Sequence, residues 1–293
     1  MNAPARSARR RFVDEVCRTE EEIDLARAAL LIAGERYPQL PVETYLGRLD
    51  HLAEEVVDRL EGETAPALVV RTLIHTLFEV EGFRGNSEAY HDPRNSFLND
   101  VLDRRLGIPL TLGIVLLEVG WRLGLAVEGV NFPHHFLVRF RGEAVSFLID
   151  PFEGGRIYFE DQAQEVLDRV YGGMIRVRPG FLARASRREM LARLLTNLKG
   201  IYLNAHDDAR ALSVVERLLV VRPDATMERR TLGVLLARVG RRDEGVRHLT
   251  EYLDALPPGA REARRIEALI ARLQSGGNVD DPEVQVDEGE VDG

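Results

Sequence analysis

Cysteine is almost absent: Cys17 is the single thiol in 293 residues. One cysteine excludes an intrachain disulfide and suits a reducing compartment. Basic charge is also scarce, with 39 Lys and Arg against 48 Asp and Glu, a net charge of -9. An acidic chain cannot neutralise a phosphate backbone broadly, so no nucleic-acid partner is expected. No apolar run reaches the roughly 18 residues that a membrane-spanning helix needs. Residues 1–11 lack the apolar stretch of a secretory signal and carry Arg6, Arg9, Arg10 and Arg11 instead. These absences together predict a cytoplasmic protein with no membrane partner.

What is present is an ordinary globular composition, 45% hydrophobic and 30% charged, in a chain long enough for two domains. The first 105 residues read as helical. Residues 20–36 place Ile23, Ala26, Leu30 and Ile32 on a helical period, and Pro38 and Pro41 end it. Residues 42–60 place Tyr45, Leu49, Leu52, Val56 and Leu60 on one face, and a third helix covers 66–80 with His75 inside it as a core residue. A Gly-, Asn- and Asp-rich loop, 82–96, follows. It has glycines but no phosphate-loop lysine, so nucleotide binding is not supported. Asn95 or Ser96 is placed to cap the next helix, through Arg105.

Pro109 suits the first turn of the helix after that, 110–123, which is apolar apart from Thr111, Glu118 and Arg122. A helix apolar all round is buried, and Gly124 fits its C-terminal end. Short Val-, Phe-, Leu- and Ile-rich runs at 126–132, 135–141 and 144–150 read as strands, the last two joined by a hairpin turn at Arg141-Gly142-Glu143. A helix at about 159–172 leads away.

His135 opens one of these strands and Asp150 closes the next. An acid at the end of a buried strand can orient an imidazole, and an oriented imidazole can act as a general base. His91, His134 and His135 with Asp92 and Asp150 match no strong metal-ligand spacing, so neither a metal nor a cofactor is expected.

Beyond residue 188 the chain repeats itself. Leu198, Tyr202, Ala211, Val215 and Pro223 recur 34 positions later as Leu232, Leu236, Gly245, Leu249 and Pro257. That period, with small residues where helices cross and a proline after the second helix, is the tetratricopeptide signature. Residues 260–274 can cap the array. Asn197, Tyr202, Arg230 and Arg238 are the candidate contacts for a protein or peptide partner. Four units are expected: a flexible basic start at 1–14, a first domain at 15–180 (helical part 15–105, core 95–155), a repeat domain at 188–274, and a disordered acidic tail at 275–293.

The words DLARAALLIAGERYP (24–38), NSFLNDVLDRRLGIPLTLGIVLLEVGWRLGL (95–125), EGVNFPHHFLVRF (128–140) and IDPFEGG (149–155) resemble a bacterial family with a degenerate transglutaminase-like core of the "SirB" type followed by tetratricopeptide repeats. The resemblance implies an α+β fold, mostly α: a helical N-terminal part, a transglutaminase-like or papain-like core with a small antiparallel sheet, and α-α repeats. It puts His135 and Asp150 on the superfamily's catalytic His and Asp. The superfamily's cysteine falls at about Pro109 to Thr111, where this chain has none and Thr111 offers the single hydroxyl. His134 stands where the family usually has a small residue.

Three functions follow: a non-catalytic scaffold that works through its repeats, a hydrolase or acyl transferase using Thr111 or a water activated by His135, and a small-molecule-binding protein that reuses the cleft. The missing thiol favours the first.

Overall fold

The computed structural model describes residues 3–279 except His134 and Ala144. The architecture is α+β and mostly α. The chain divides into one compact unit that runs through Leu194 and a second that begins at Leu195.

The first unit opens with helices α1 (Ala3–Val16), α2 (Leu25–Ala33), α3 (Val42–Leu60) and α4 (Pro66–Ile74). A π-helical turn, His75–Val80, continues α4. A two-residue strand β1 (Arg84–Gly85), helix α5 (Leu98–Arg104), a second short strand β2 (Leu106–Gly107) and helix α6 (Pro109–Arg122) follow. Strands β1 and β2 pair in parallel.

Helices α2 and α6 form the centre. Every residue of α2 except Arg27 is buried, as is every residue of α6 from Pro109 to Gly120. The one carboxylate there, Glu118, accepts the Ala26 N–H at 2.9 Å and an Arg122 Nη1–H at 2.6 Å. Burial holds its pKa above the usual carboxylate value, and the Arg122 contact opposes that rise.

The basic start is helical where it is described. It is helix α1, with Ala5, Phe12 and Val16 buried and Arg9 Nε donating to Glu35 Oε1 at 2.6 Å. Charge counting hides this because the apolar residues lie seven and four apart, on one helical face. His75 also departs from expectation. It is exposed and faces Glu79 Oε2 at 3.0 Å, one turn along.

Strands β3 (Val127–Val130), β4 (Leu137–Arg141), β5 (Ser146–Asp150) and β6 (Arg156–Tyr158) form an antiparallel meander in that order. Strand β4 is buried on both faces. On one side Phe136, just before β4, is clamped between α6 and β3. A Cβ on Gly113 would lie 2.4 Å from its ring, and one on Gly129 2.7 Å. On the other side Leu137, Leu148 and Val130 pack with Ala163, Val166 and Leu167 of helix α7 (Ala163–Tyr171). Strand β6 had no recognisable run of its own. It begins beside the Gly154-Gly155 turn, and its three residues pair with β5 from Leu148 to Asp150.

Helix α8 (Arg187–Asn204) carries the chain from the first unit into the second. Helices α9 (Asp208–Val221), α10 (Thr226–Arg238), α11 (Arg242–Asp254) and α12 (Ala263–Gln274) complete the second unit. Small residues let α10 and α11 touch backbone to backbone: a Cβ on Gly245 would lie 2.7 Å from the Gly233 carbonyl oxygen. Leu249, Tyr252, Ile266, Leu269 and Leu273 share one core, which Val279 joins. Val279 lies within the stretch 275–293 expected as a tail. Residues 280–293 of that tail lie outside the described residues.

Candidate functional site

The chain reverses at Phe132-Pro133, and the His135 N–H donates to the Phe132 carbonyl at 2.9 Å. This turn places His135 just ahead of β4 rather than within it. Asp150 is the last residue of β5. Because β4 and β5 pair with Val138 opposite Ile149, the two side chains meet. His135 Nε2 and Asp150 Oδ2 are 2.7 Å apart, with Asp150 at 1% exposure and His135 at 9%.

Asp150 is held from behind. Its Oδ1 accepts the N–H groups of Phe152 at 3.0 Å and Glu153 at 3.1 Å. Two backbone donors on one oxygen suit the anionic form and leave Oδ2 as an acceptor. The hydrogen bond to it then requires a proton on His135 Nε2, which in the neutral ring leaves the lone pair on Nδ1. Among the described residues Nδ1 has no hydrogen-bond partner, and the imidazole keeps 11% of its surface exposed. This is the arrangement of an oriented base.

Aromatic rings wall the imidazole. Phe152 meets it edge to face at 6.2 Å between centroids, and Tyr90 meets Phe152 in the same manner at 6.0 Å. Tyr90 stands on the loop before α5, and Asn95 pins that loop. Asn95 Nδ2 donates to the carbonyls of Ala89 at 2.7 Å and Tyr90 at 3.1 Å, while its Oδ1 accepts from Asn86 at 3.0 Å. Asn95 is therefore a loop clamp and not a helix cap. The N-cap of α5 is Phe97, and no side chain caps it.

The helix side of the cleft is different. Thr111 is fully buried, and its Oγ1 donates to the Asn95 carbonyl at 2.7 Å while accepting the Ile108 N–H at 3.1 Å. It caps α6 from the third position. The structure gives Thr111 no hydrogen bond to His135. Gly113 marks the face of α6 that meets Phe136, and the residue four earlier on that face is Pro109, which carries neither a nucleophile nor an N–H.

Among the described residues no group of three or more His, Cys, Asp or Glu side chains is placed to hold a metal ion. His134 lies outside the described residues. His91 meets Tyr90 edge to face at 5.4 Å and is exposed.

On the repeats, the four candidate contact residues separate. Tyr202 is buried at 6% exposure with the Arg210 guanidinium 5.9 Å from its ring, so it is a packing residue. Its repeat position, equivalent to Leu236, already signalled that. Arg238 Nη1 lies 3.4 Å from Asp208 Oδ1. Asn197 and Arg230 are partly exposed. A cavity of about 350 Å³ lies between α9, α10 and α11, with Leu219, Leu232, Leu236, Arg229 and His248 in its wall.

Sequence reasoning missed Phe152, which meets His135, Tyr90, which meets Phe152, and Arg193, which donates to the carbonyl that accepts the His135 N–H. Phe152 had a signal, since it follows Asp150 by two residues. Tyr90 and Arg193 had none, because both reach the site from distant segments.

Residues 43–196 match the family model of the transglutaminase-like superfamily, and residues 198–271 match a tetratricopeptide repeat model. A UPF0162 protein of Xylella fastidiosa is 35% identical over 245 residues, covering 81% of this chain and 86% of that protein. A UPF0162 protein of Pseudomonas aeruginosa is 32% identical over 207 residues, covering 71% of this chain and 75% of that one. The mouse F-box only protein 21 is 35% identical over 85 residues, which is 29% of this chain but 14% of that protein. No solved structure matches. Among the described residues no helix is long and apolar enough to cross a membrane.

Proposed function

The chain belongs to the transglutaminase-like superfamily, alongside bacterial UPF0162 proteins, and we propose that it acts there as a protein-interaction scaffold without a nucleophile of its own. Its repeats hold a protein or peptide partner. Its transglutaminase-like cleft forms no acyl-enzyme. The observation that carries this reading is the state of Thr111, whose hydroxyl proton is committed to the Asn95 carbonyl at the start of α6. A hydroxyl that donates to a backbone carbonyl has no proton to give a base, and no base is bonded to it. Tetratricopeptide units, for their part, expose long helical grooves, and partner recognition is their ordinary use.

The test is capture by the full chain from extracts of cells that express it, compared with two variants. Asn197→Ala combined with Arg230→Ala should reduce capture at unchanged thermal stability, and His135→Ala should leave capture intact. Capture lost in His135→Ala and kept in the repeat variant would overturn the reading.

The open Nδ1 of His135 favours a second reading, hydrolysis by a water activated at that nitrogen. The imidazole would take the water proton as the hydroxide oxygen adds to an acyl carbon, then return it to the leaving group. Such turnover would vanish in His135→Ala and persist in Thr111→Val. Turnover that survives His135→Ala would exclude it.

A further inference from the structure

Arg193, on α8, donates through Nη1 to two acceptors at long range, Phe132 O at 3.3 Å and Asn131 Oδ1 at 3.4 Å. Phe132 O is also the acceptor of the His135 N–H. The guanidinium and the His135 backbone N–H therefore share one carbonyl acceptor. The rings of Phe152 and Tyr90 extend in turn from His135, and the Tyr90 phenol acts electrostatically on the guanidinium. Among the described residues, the side chains that act on the guanidinium electrostatically are the phenols of Tyr90 and Tyr171, with no carboxylate.

A half-buried cation with no counter-ion among the described residues is unusual. Most arginines of this unit that are comparably covered have a carboxylate: Arg9 has Glu35, Arg122 has Glu118 and Asp50, and Arg139 has Glu128 and Glu160. Partly burying a guanidinium on neutral acceptors costs free energy that a packed apolar side chain would not. Desolvation accordingly pulls the Arg193 pKa down, and the two phenols oppose that shift.

We propose that Arg193 is the anion-binding residue of a ligand site in the cleft, and that the ligand is a small organic carboxylate with a flat apolar body. The carboxylate would supply the missing counter-ion and take the planar guanidinium side by side. The body would lie on Phe152 and Tyr90. Its far side would face His135 Nδ1. The site does not depend on what the repeats bind, and it holds whether or not His135 turns the ligand over.

The experiment titrates the full-length chain with benzoate and, separately, with its neutral analogue benzamide, and follows the His135 imidazole signals by NMR. Benzoate should bind and shift those signals, and benzamide should bind at least tenfold more weakly. Arg193→Met should weaken benzoate at least tenfold while the melting temperature stays level or rises, because a desolvated charge has been removed. A short peptide with a free C-terminal carboxylate, compared with its amide, separates the two sources of the same chemistry. If the peptide acid binds and benzoate does not, the ligand is a chain terminus and the assignment of Arg193 stands. Equal binding of acid and amide forms, no binding of either acid, or benzoate binding unchanged in Arg193→Met would each overturn the proposal. Should the Met variant fail to fold, the comparison of acid with amide on the unaltered chain decides alone.

Discussion

The two sides of the cleft treat their polar atoms in opposite ways. On the strand side, Asp150 is secured by two backbone donors and holds His135 so that one ring nitrogen remains open. On the helix side, the hydroxyl of Thr111 is committed at both its proton and a lone pair, and the helix face beside Phe136 presents a proline. What distinguishes a reactive group from a structural one here is not residue type or burial, since both sides are buried and polar. It is whether the atom that would react already has a partner. In that sense His135 keeps an open ring nitrogen, and the hydroxyl of Thr111 is a helix cap.

Removing the acid should break the strand side with the largest effect. Asp150→Ala leaves two backbone N–H groups and an imidazole N–H without their acceptor, and an unfolding midpoint shift equivalent to about 4 kcal/mol is expected in denaturant. Asp150→Asn sharpens the point. It keeps an acceptor for the backbone donors but offers an N–H₂ to Nε2, so the imidazole proton should move to Nδ1. The fold should survive, and nitrogen chemical shifts of His135 should report the reversed tautomer.

The packing that joins the two sides comes next. Gly113→Val sets a branched side chain where a single Cβ already lies 2.4 Å from the Phe136 ring. Overpacking should cost about 3 kcal/mol and move His135, the neighbour of Phe136, as seen in its NMR signals. Loss of stability without any change at His135 would uncouple the helix from the base.

A smaller effect tests the helix side alone. Thr111→Val removes the cap and orphans the Asn95 carbonyl, at about 1.5 kcal/mol, while Thr111→Ser should restore most of it. Neither should alter the tautomer of His135.

The smallest effect lies outside the cleft. Tyr37 donates to Asp100 Oδ2 at 2.7 Å, and burial together with that acceptor pushes its pKa up to about 12. The folded state then holds this proton more tightly than the unfolded chain does. Its contribution is complete below the ordinary tyrosine value near 10 and is lost as pH rises toward 12. The melting temperature should fall over that range, and Tyr37→Phe should flatten the fall.

Much of this was legible in the sequence because local rules and burial agree. The all-apolar run of α6, Pro109 at its start and Gly124 just past its end specify a buried helix and both its limits. One hairpin between β4 and β5 is enough to bring His135 to Asp150. The repeat period locates the small residues at the crossing of α10 and α11. Less was legible where one residue type serves two ends. A threonine at a helix start is equally a cap and a nucleophile, and only its partner tells them apart. Asn95 has the composition of a helix cap but clamps the loop that carries Tyr90. The arginine-rich start reads as a solvated end until Ala5, Phe12 and Val16 are placed on one face of α1. Arg193 carries no local pattern at all, since its setting is made by the turn at Phe132, 61 residues earlier.

The central claim is that the cleft keeps its base and has no nucleophile of its own. The most direct test is to incubate the full-length chain with an activated acyl ester and follow both released alcohol and intact mass. The account predicts no acyl adduct on the chain, and it requires that any ester hydrolysis disappear in His135→Ala and persist in Thr111→Val. An acyl group trapped on Thr111, with turnover abolished by Thr111→Val, would contradict it.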